Sequence, residues 1–418
     1  MSVWSELTGQ DAAIAVFRAA ASASTRSGSR SVERSADGHG ADERSAETAP
    51  DAAAGADPRT MTHSWLITGP PGSGRSNLAY AFATALIAGD PDGDEPTRIQ
   101  VEARSHPDLH VLTTEGVIIK VADVRDIVKR SHYAPSVGRH RVIVVEDADR
   151  MTEQTSNVLL KELEEPPERT VWILCAPSEA DLIPTIRSRV RSVRLQVPSV
   201  ADVAELLVRR DGVDPVLAER AAREAQSHIG MAHRLATNEE ARSRRAETLR
   251  LALGVRSSAT AVMTASRLLE IAGDDAKAIT ELRDQEEREH ALRSLGLAPG
   301  QAIPPALRSQ IKALEDEQKR RATRSLRDGI DRILVDLASL YRDVLLLQLE
   351  AGVQLVNREI EPELRAAAAS ASPARSLATL DAIQLARTRI EGNVAPALAL
   401  EAMLVSAIRR PGTERGAA

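Results

Sequence analysis

The chain has a single cysteine, Cys175, in 418 residues. One thiol excludes an intrachain disulfide and a cysteine-built zinc site, and it suits a reducing compartment. Aromatic residues make up only 2% of the chain, so its cores have to be assembled from Ala, Leu, Val and Ile. No run approaches the roughly 20 apolar residues that a membrane-crossing helix needs. The opening MSVWSELTGQ lacks the basic-then-apolar order of a secretory signal, and no membrane contact is expected. Neither sign of charge dominates: 54 Lys and Arg against 60 Asp and Glu leave a net charge of -6. That balance does not mark a generic nucleic-acid binder, so any DNA contact would be a local patch or a partner's. His106, His110, His132, His140, His228 and His233 form no ligand-spaced cluster with cysteine. No Gly-x-Ser-x-Gly turn is present, and Cys175 lies in an apolar run, where an inert packing role is expected.

What is present begins with a short amphipathic stretch around DAAIAVFRAAA. From Ser22 the composition turns small and polar, and residues 22–60 read as a disordered insert, because they hold too little apolar surface to offset their ordering entropy. WLIT (65–68) reads as a buried strand, GPPGSGRS (69–76) as a Gly-rich loop, and SNLAYAFATAL as a helix with Leu78, Phe82 and Leu86 on one face. Further strands are expected at LHVLTT (109–114), RVIVV (from 141), TVWILCAP (170–177) and RSVRLQVP (191–198). The last alternates, with Val193, Leu195 and Val197 on one face, as an edge strand does. Helices are expected near Asp123 and over EQTSNVLLKELEE, the latter stopped by Pro166 and Pro167. Strands alternating with helices give a parallel α/β domain over 1–199. Nearly everything after 200 reads as helical. A boundary in the 300–320 region divides 200–310 from 311–410, and 411–418 reads as a frayed tail. The strongly apolar final helices fit an oligomer interface and a well-buried bundle equally.

The loop GPPGSGRS keeps the spacing of the phosphate-binding pattern G-x-x-x-x-G-K-[ST], with Gly69, Gly74 and Ser76 in place. Pro70, Pro71, Gly72 and Ser73 fill the interior. Such a loop works by converging backbone N–H groups on phosphate at a helix N-terminus. The lysine position holds Arg75, whose planar fork is bulkier and differently aimed. Binding of ATP or ADP with Mg²⁺, and a degenerate loop kept for its shape, both stay open. If nucleotide binds, Ser76 and Glu146 are the Mg²⁺ contacts. In VIVVEDAD the acidic pair Glu146–Asp147 ends a core strand in the reverse of the usual Asp-Glu order. The shorter Asp147 is then left to polarise a water, which favours weak or absent hydrolysis. Asp149 is expected to cap the next helix or face solvent. PTIRSRV carries Arg187 and Arg189, with Arg191 following. On spacing alone, these read as surface arginines paired locally.

Taken together, WSELTGQDAAI, GPPGSGRS, HPDLHVL, RVIVVEDADRMTEQTSNVLLKELEEPPERTVWILCAPS and LIPTIRSR resemble the clamp loader family of bacterial DNA polymerase III, and within it the delta-prime subunits. The resemblance covers roughly 1–20 and 61–240 strongly and the remainder more weakly, and the arginine in the loop is similar to an actinobacterial form. It implies an AAA+ module, a small helical lid and an all-α collar. It implies assembly with gamma/tau and delta subunits to open the beta sliding clamp and place it on primed DNA, in a cytoplasmic, replisome-associated complex that belongs to a DNA-directed DNA polymerase. ATP would be hydrolysed in gamma/tau. Ser188 and Arg189 match the family's serine-arginine pair, so the resemblance makes Arg189 a finger acting on a neighbour's nucleotide. Val190 stands where the family has cysteine. The family's zinc module is replaced by the cysteine-free IAGDPDGDEPTRIQVEARS, so zinc is expected to be absent, and Gly230 stands where the ATPase subunits carry a lid arginine. The rival reading is an autonomous AAA+ ATPase hydrolysing ATP at its own loop.

Overall fold

A computed structural model of the chain describes residues 2–5, 7–36, 61–114, 118–294 and 308–408. The first long helix, α1 (Asp11–Ala36), brings Phe17 against Trp65 and Phe82, with ring centroids 4.9 and 4.6 Å away. Both phenylalanines of an aromatic-poor chain are thus spent on one cluster. The expectation of disorder from Ser22 is corrected at its start, because α1 continues to Ala36. The physical reason lies in contacts that composition does not reveal: Ser24 Oγ meets His140 Nε2 at 3.1 Å and Arg139 Nη2 donates to the Thr25 carbonyl at 2.6 Å. The rest of that segment, 37–60, lies outside the described residues.

Five parallel strands follow: β1 (Ser64–Thr68), β2 (Leu109–Leu112), β3 (Arg141–Val145), β4 (Thr170–Ala176) and β5 (Arg191–Arg194), ordered β2-β3-β4-β1-β5. Every residue of β1, β3 and β4 is buried, as strands covered on both faces must be. Alternation divides them between two cores. Trp65, Ile67, Val142, Val144, Val171, Ile173 and Cys175 face α1 and α2 (Arg75–Ala88). Leu66, Ile143, Val145, Trp172 and Leu174 face α4 (Val121–Ser131) and α5 (Glu153–Glu164). Between β1 and β2 lies also α3 (Glu95–Glu102). The chain is therefore an α/β fold with a parallel sheet, as expected from the alternation of elements. β5 is an edge strand, but it ends at Arg194. Leu195 is buried while Val197 is exposed, because the chain leaves the ladder before the third member of the alternating row.

The short α6 (Pro184–Arg187) precedes β5. Beyond it come α7 (Val200–Asp211), opened by a Ser199–Asp202 capping box, α8 (Pro215–Glu224) and α9 (Ile229–Thr237). The chain forms two compact units, Met1–His233 and Arg234–Ala418. The second unit contains α10 (Glu239–Leu253), α11 (Ser258–Ser294), α12 (Arg308–Gln348), α13 (Glu361–Ser370), α14 (Pro373–Glu391) and α15 (Pro396–Ile408) around one apolar core. Its buried Asp343 accepts from the backbone N–H groups of Val356 and Asn357 at 3.1 and 2.7 Å, and this ties the segment after α12 back onto that helix. The division expected in the 300–320 region falls between α11 and α12 and within α12, which share this core; residues 295–307 and the tail from 409 lie outside the described residues.

Candidate functional site

The Gly-rich loop leaves β1 at the carboxyl end of the sheet, where open parallel sheets place their ligand crevices. Gly69 N–H donates to the Pro177 carbonyl at 3.2 Å, and a Cβ on Gly69 would come within 2.7 Å of Ser73 Oγ and 2.9 Å of Leu195 Cβ. Gly72 and Gly74 have φ of 77° and 91°, the left-handed region that glycine adopts without strain. Gly74 caps α2, so the loop passes straight into a helix N-terminus. Pro70 and Pro71 are exposed, and Ser73 is buried with its Oγ lacking a hydrogen-bond partner. Ser76 is half-buried in the first turn of α2.

Arg75 folds back on this loop. Its Nη1 donates to the Gly69 carbonyl at 2.9 Å, so the guanidinium charge closes the loop's own first turn. Asp149 lies near that charge and is half-buried. Burial, together with the adjacent Asp147, pushes its carboxyl upward from the ordinary range, while nearby arginines oppose the shift. The expectation that it caps α5 or faces solvent is replaced: Thr152 caps α5, with Thr155 N–H donating to its Oγ1 at 3.3 Å. Cys175 Sγ is 4.0 Å from the Arg75 carbonyl and fully buried, and burial pushes the thiol up to about 12. It has no thiolate at neutral pH, which fits the inert role expected of it.

The acidic pair follows β3, also at the carboxyl end of the sheet, with Glu146 N–H donating to Leu112 O at 3.0 Å. Strand β4 separates β3 from β1. The Glu146 carboxylate accepts a short hydrogen bond from the Tyr80 hydroxyl on α2 and one from Arg104 Nη2 at 2.8 Å. Arg104 also lies over the Tyr80 ring, 5.5 Å from its centroid. Asp147 Oδ1 lies 4.0 Å from Arg150 Nε.

Sequence reasoning missed Tyr80 and Arg104. Arg104 follows α3 in a segment that stood out only for lacking cysteines. Its N–H donates to Val101 O at 3.0 Å and Ser105 N–H to Gln100 O at 2.8 Å, the paired bonds of a Schellman helix end. Its φ of 54° is left-handed, which costs a non-glycine residue about 1–2 kcal/mol. His228 was missed as well. Its ring lies so close to Gly72 that a Cβ there would fall 2.3 Å from His228 Cγ, and Ile229 N–H donates to Gly72 O at 3.2 Å. No spacing rule links positions 72 and 228.

Arg189 follows α6 and precedes β5, at the amino end of that strand. Because the sheet is parallel, it lies at the end opposite the chain's own Gly-rich loop. Its guanidinium pairs tightly with Glu164 and donates from Nη1 to the Thr185 carbonyl at 2.7 Å and to Ser188 Oγ at 3.2 Å. Arg187 is exposed, and Arg191 stacks on Trp65 with its guanidinium carbon 5.1 Å from the ring centroid.

Residues 51–199 match the family model described as "DNA polymerase III, delta subunit". The DNA polymerase III subunit delta' of Bacillus subtilis is 27% identical over 196 residues, 46% of this chain and 59% of that one. The corresponding subunit of Pseudomonas aeruginosa is 34% identical over 154 residues, covering 35% and 47%. Over these residues the chain is similar to clamp loader subunits of DNA polymerase III. The gamma/tau subunit of Mycobacterium bovis also matches, at 28% identity over 155 residues, 36% of this chain and 27% of that one. The chain spans about half the length of the curated delta' relatives it matches. Among solved structures, a gamma subunit-related protein of Thermotoga maritima covers 82% of this chain and 93% of its own at 19% identity, with a TM-score of 0.38, an overlap too loose to support any comparison of sites. The matched residues contain all five strands of the parallel sheet, and the helical region follows them.

Proposed function

We propose that this chain is the delta-prime subunit of a clamp loader: it assembles with gamma/tau and delta subunits, which together open the beta sliding clamp and place it on primed DNA. In this reading it completes a neighbour's ATP site with Arg189 and hydrolyses little or no ATP itself. The observation that carries the reading is the position of Arg189. It sits at the opposite end of the sheet from the chain's own phosphate-type loop, which supports a role toward a nucleotide on another molecule. Its pairing with Glu164 holds the guanidinium at the surface until a more strongly charged acceptor, such as a γ-phosphate, draws it away. The local chemistry at the chain's own loop also supports this. Arg75 donates to the Gly69 carbonyl, Glu146 is engaged by Tyr80 and Arg104, and Asp147 lies 4.0 Å from Arg150.

The reconstituted loader tests the reading. With Arg189→Ala the complex still assembles, and its DNA-stimulated ATP turnover falls. Glu164→Gln, which frees the guanidinium, leaves turnover equal or higher. Unchanged turnover with Arg189→Ala rejects the finger. Turnover by the isolated chain that disappears with Asp147→Asn supports the autonomous-ATPase reading instead, which has the intact Gly69, Gly72 and Gly74 geometry and Ser76 in its favour.

A further inference from the structure

The magnesium expected beside Ser76 and Glu146 does not fit the groups that surround Glu146. To hold a hydrated divalent cation, this carboxylate has to offer uncompensated negative charge and accept from the metal's water ligands. Here one of its oxygens already accepts from both Tyr80 and Arg104, and the guanidinium at 2.8 Å compensates its charge. A cation approaching the carboxylate also approaches Arg104, and the repulsion between like charges this near a half-buried group is poorly screened. We infer that Arg104 is the resident counter-cation of Glu146 and occupies electrostatically the place a divalent metal would take, so that phosphate binding at this loop is independent of Mg²⁺.

Two further observations support the assignment. The first is backbone conformation. Arg104 occupies the position in a Schellman helix end where glycine is ordinary, with φ of 54°. In that conformation its side chain does two things: it pairs with Glu146 and covers the Tyr80 ring. The second is the Tyr80 bond: its half-buried hydroxyl donates to the same Glu146 oxygen that Arg104 engages. Tyr80 lies on α2, the same helix that begins at the loop, so the contact ties the acidic strand end to the loop's helix. Arg75 is then the charge that stands at the loop where a standard phosphate loop has its lysine.

The inference rests on reading residues 69–76 as a phosphate loop, and not on Arg189 acting in trans. Mn²⁺ titrated into the purified full chain, with and without ADP and read by the resonance of free Mn²⁺, tests it. Arg104→Gly suits the left-handed backbone and folds at least as stably as the wild type, which a thermal melt checks. Mn²⁺ binds Arg104→Gly at least about fivefold more tightly than the wild type, the scale expected on removing a partly exposed ion pair and a repelling charge. Arg104→Lys behaves as the wild type, and adding Tyr80→Phe to Arg104→Gly tightens Mn²⁺ further. Equal affinity of wild type and Arg104→Gly for Mn²⁺ overturns the inference, whether both bind or neither does. So does wild-type ADP binding that strengthens with Mn²⁺ as much as the variant's. The loader's ATP turnover with Arg189→Ala is a separate measurement, so either reading can fail while the other stands.

Discussion

Arg104, Arg189 and His140 show how much a single side chain's neighbours decide. Arg104 and Arg189 are both half-exposed arginines in ion pairs, an arrangement ordinarily worth about 1 kcal/mol or less. What separates them from the chain's other arginines is placement: one faces the acidic end of β3, the other sits at the amino end of β5. His140 carries the clearest pH dependence. Burial holds its imidazole down to about 4, helped by nearby Arg139 and Arg169 and opposed by its hydrogen bond to Leu86 O. The unfolded chain takes up that proton near 6.5, so between about 4 and 6.5 unfolding binds protons and stability falls as pH falls. The full contribution is present above 6.5 and amounts to at most about 3 kcal/mol. Urea unfolding at pH 7.5 and pH 5 reads this directly: the wild type loses stability at the lower pH, and His140→Gln loses less.

At the scale of elements, β1, β3 and β4 were legible because a strand buried on both faces has to be apolar throughout, and RVIVV and TVWILCA are. The loop and helix after β1 were legible because glycine spacing reports backbone conformation, and Gly72 and Gly74 are left-handed. The far half of α1 was not legible, because Ser24 and Thr25 are held by His140 and Arg139, more than a hundred positions away. The docking of α1 depends on Phe17, which is fully buried between Trp65 and Phe82. Phe17→Ala costs about 3–5 kcal/mol, by lost burial and the cavity left behind. Denaturant unfolding of the full chain measures it, and a loss below about 1 kcal/mol would mean that α1 is peripheral to the core.

At the scale of the whole molecule, each of the two units has its own buried core. The second unit leaves Met263, Leu377, Leu385 and Leu398 exposed. In the proposed function residues 311–410 of this unit, which include Leu377, Leu385 and Leu398, are the collar through which the subunits join. Leu398→Asp therefore lowers recovery of the complex when subunits are mixed, and it leaves the melting temperature of the isolated chain unchanged because the residue is already in water. Unaltered assembly by size-exclusion chromatography would place the joint elsewhere.

The order of residues by itself determined the class of fold, the strand and loop that begin the site, the acidic pair at the end of β3 and the likeness to the clamp loader family. These are properties of local pattern: period, spacing and backbone preference act over a few residues, so they can be read along the chain. Tertiary structure alone decided that Arg104 and Tyr80 hold Glu146, that His228 covers Gly72, and that Arg189 lies at the far end of the sheet from Gly69. Charge compensation and close approach act through space between groups that sequence distance keeps apart, and only the folded chain brings them within reach.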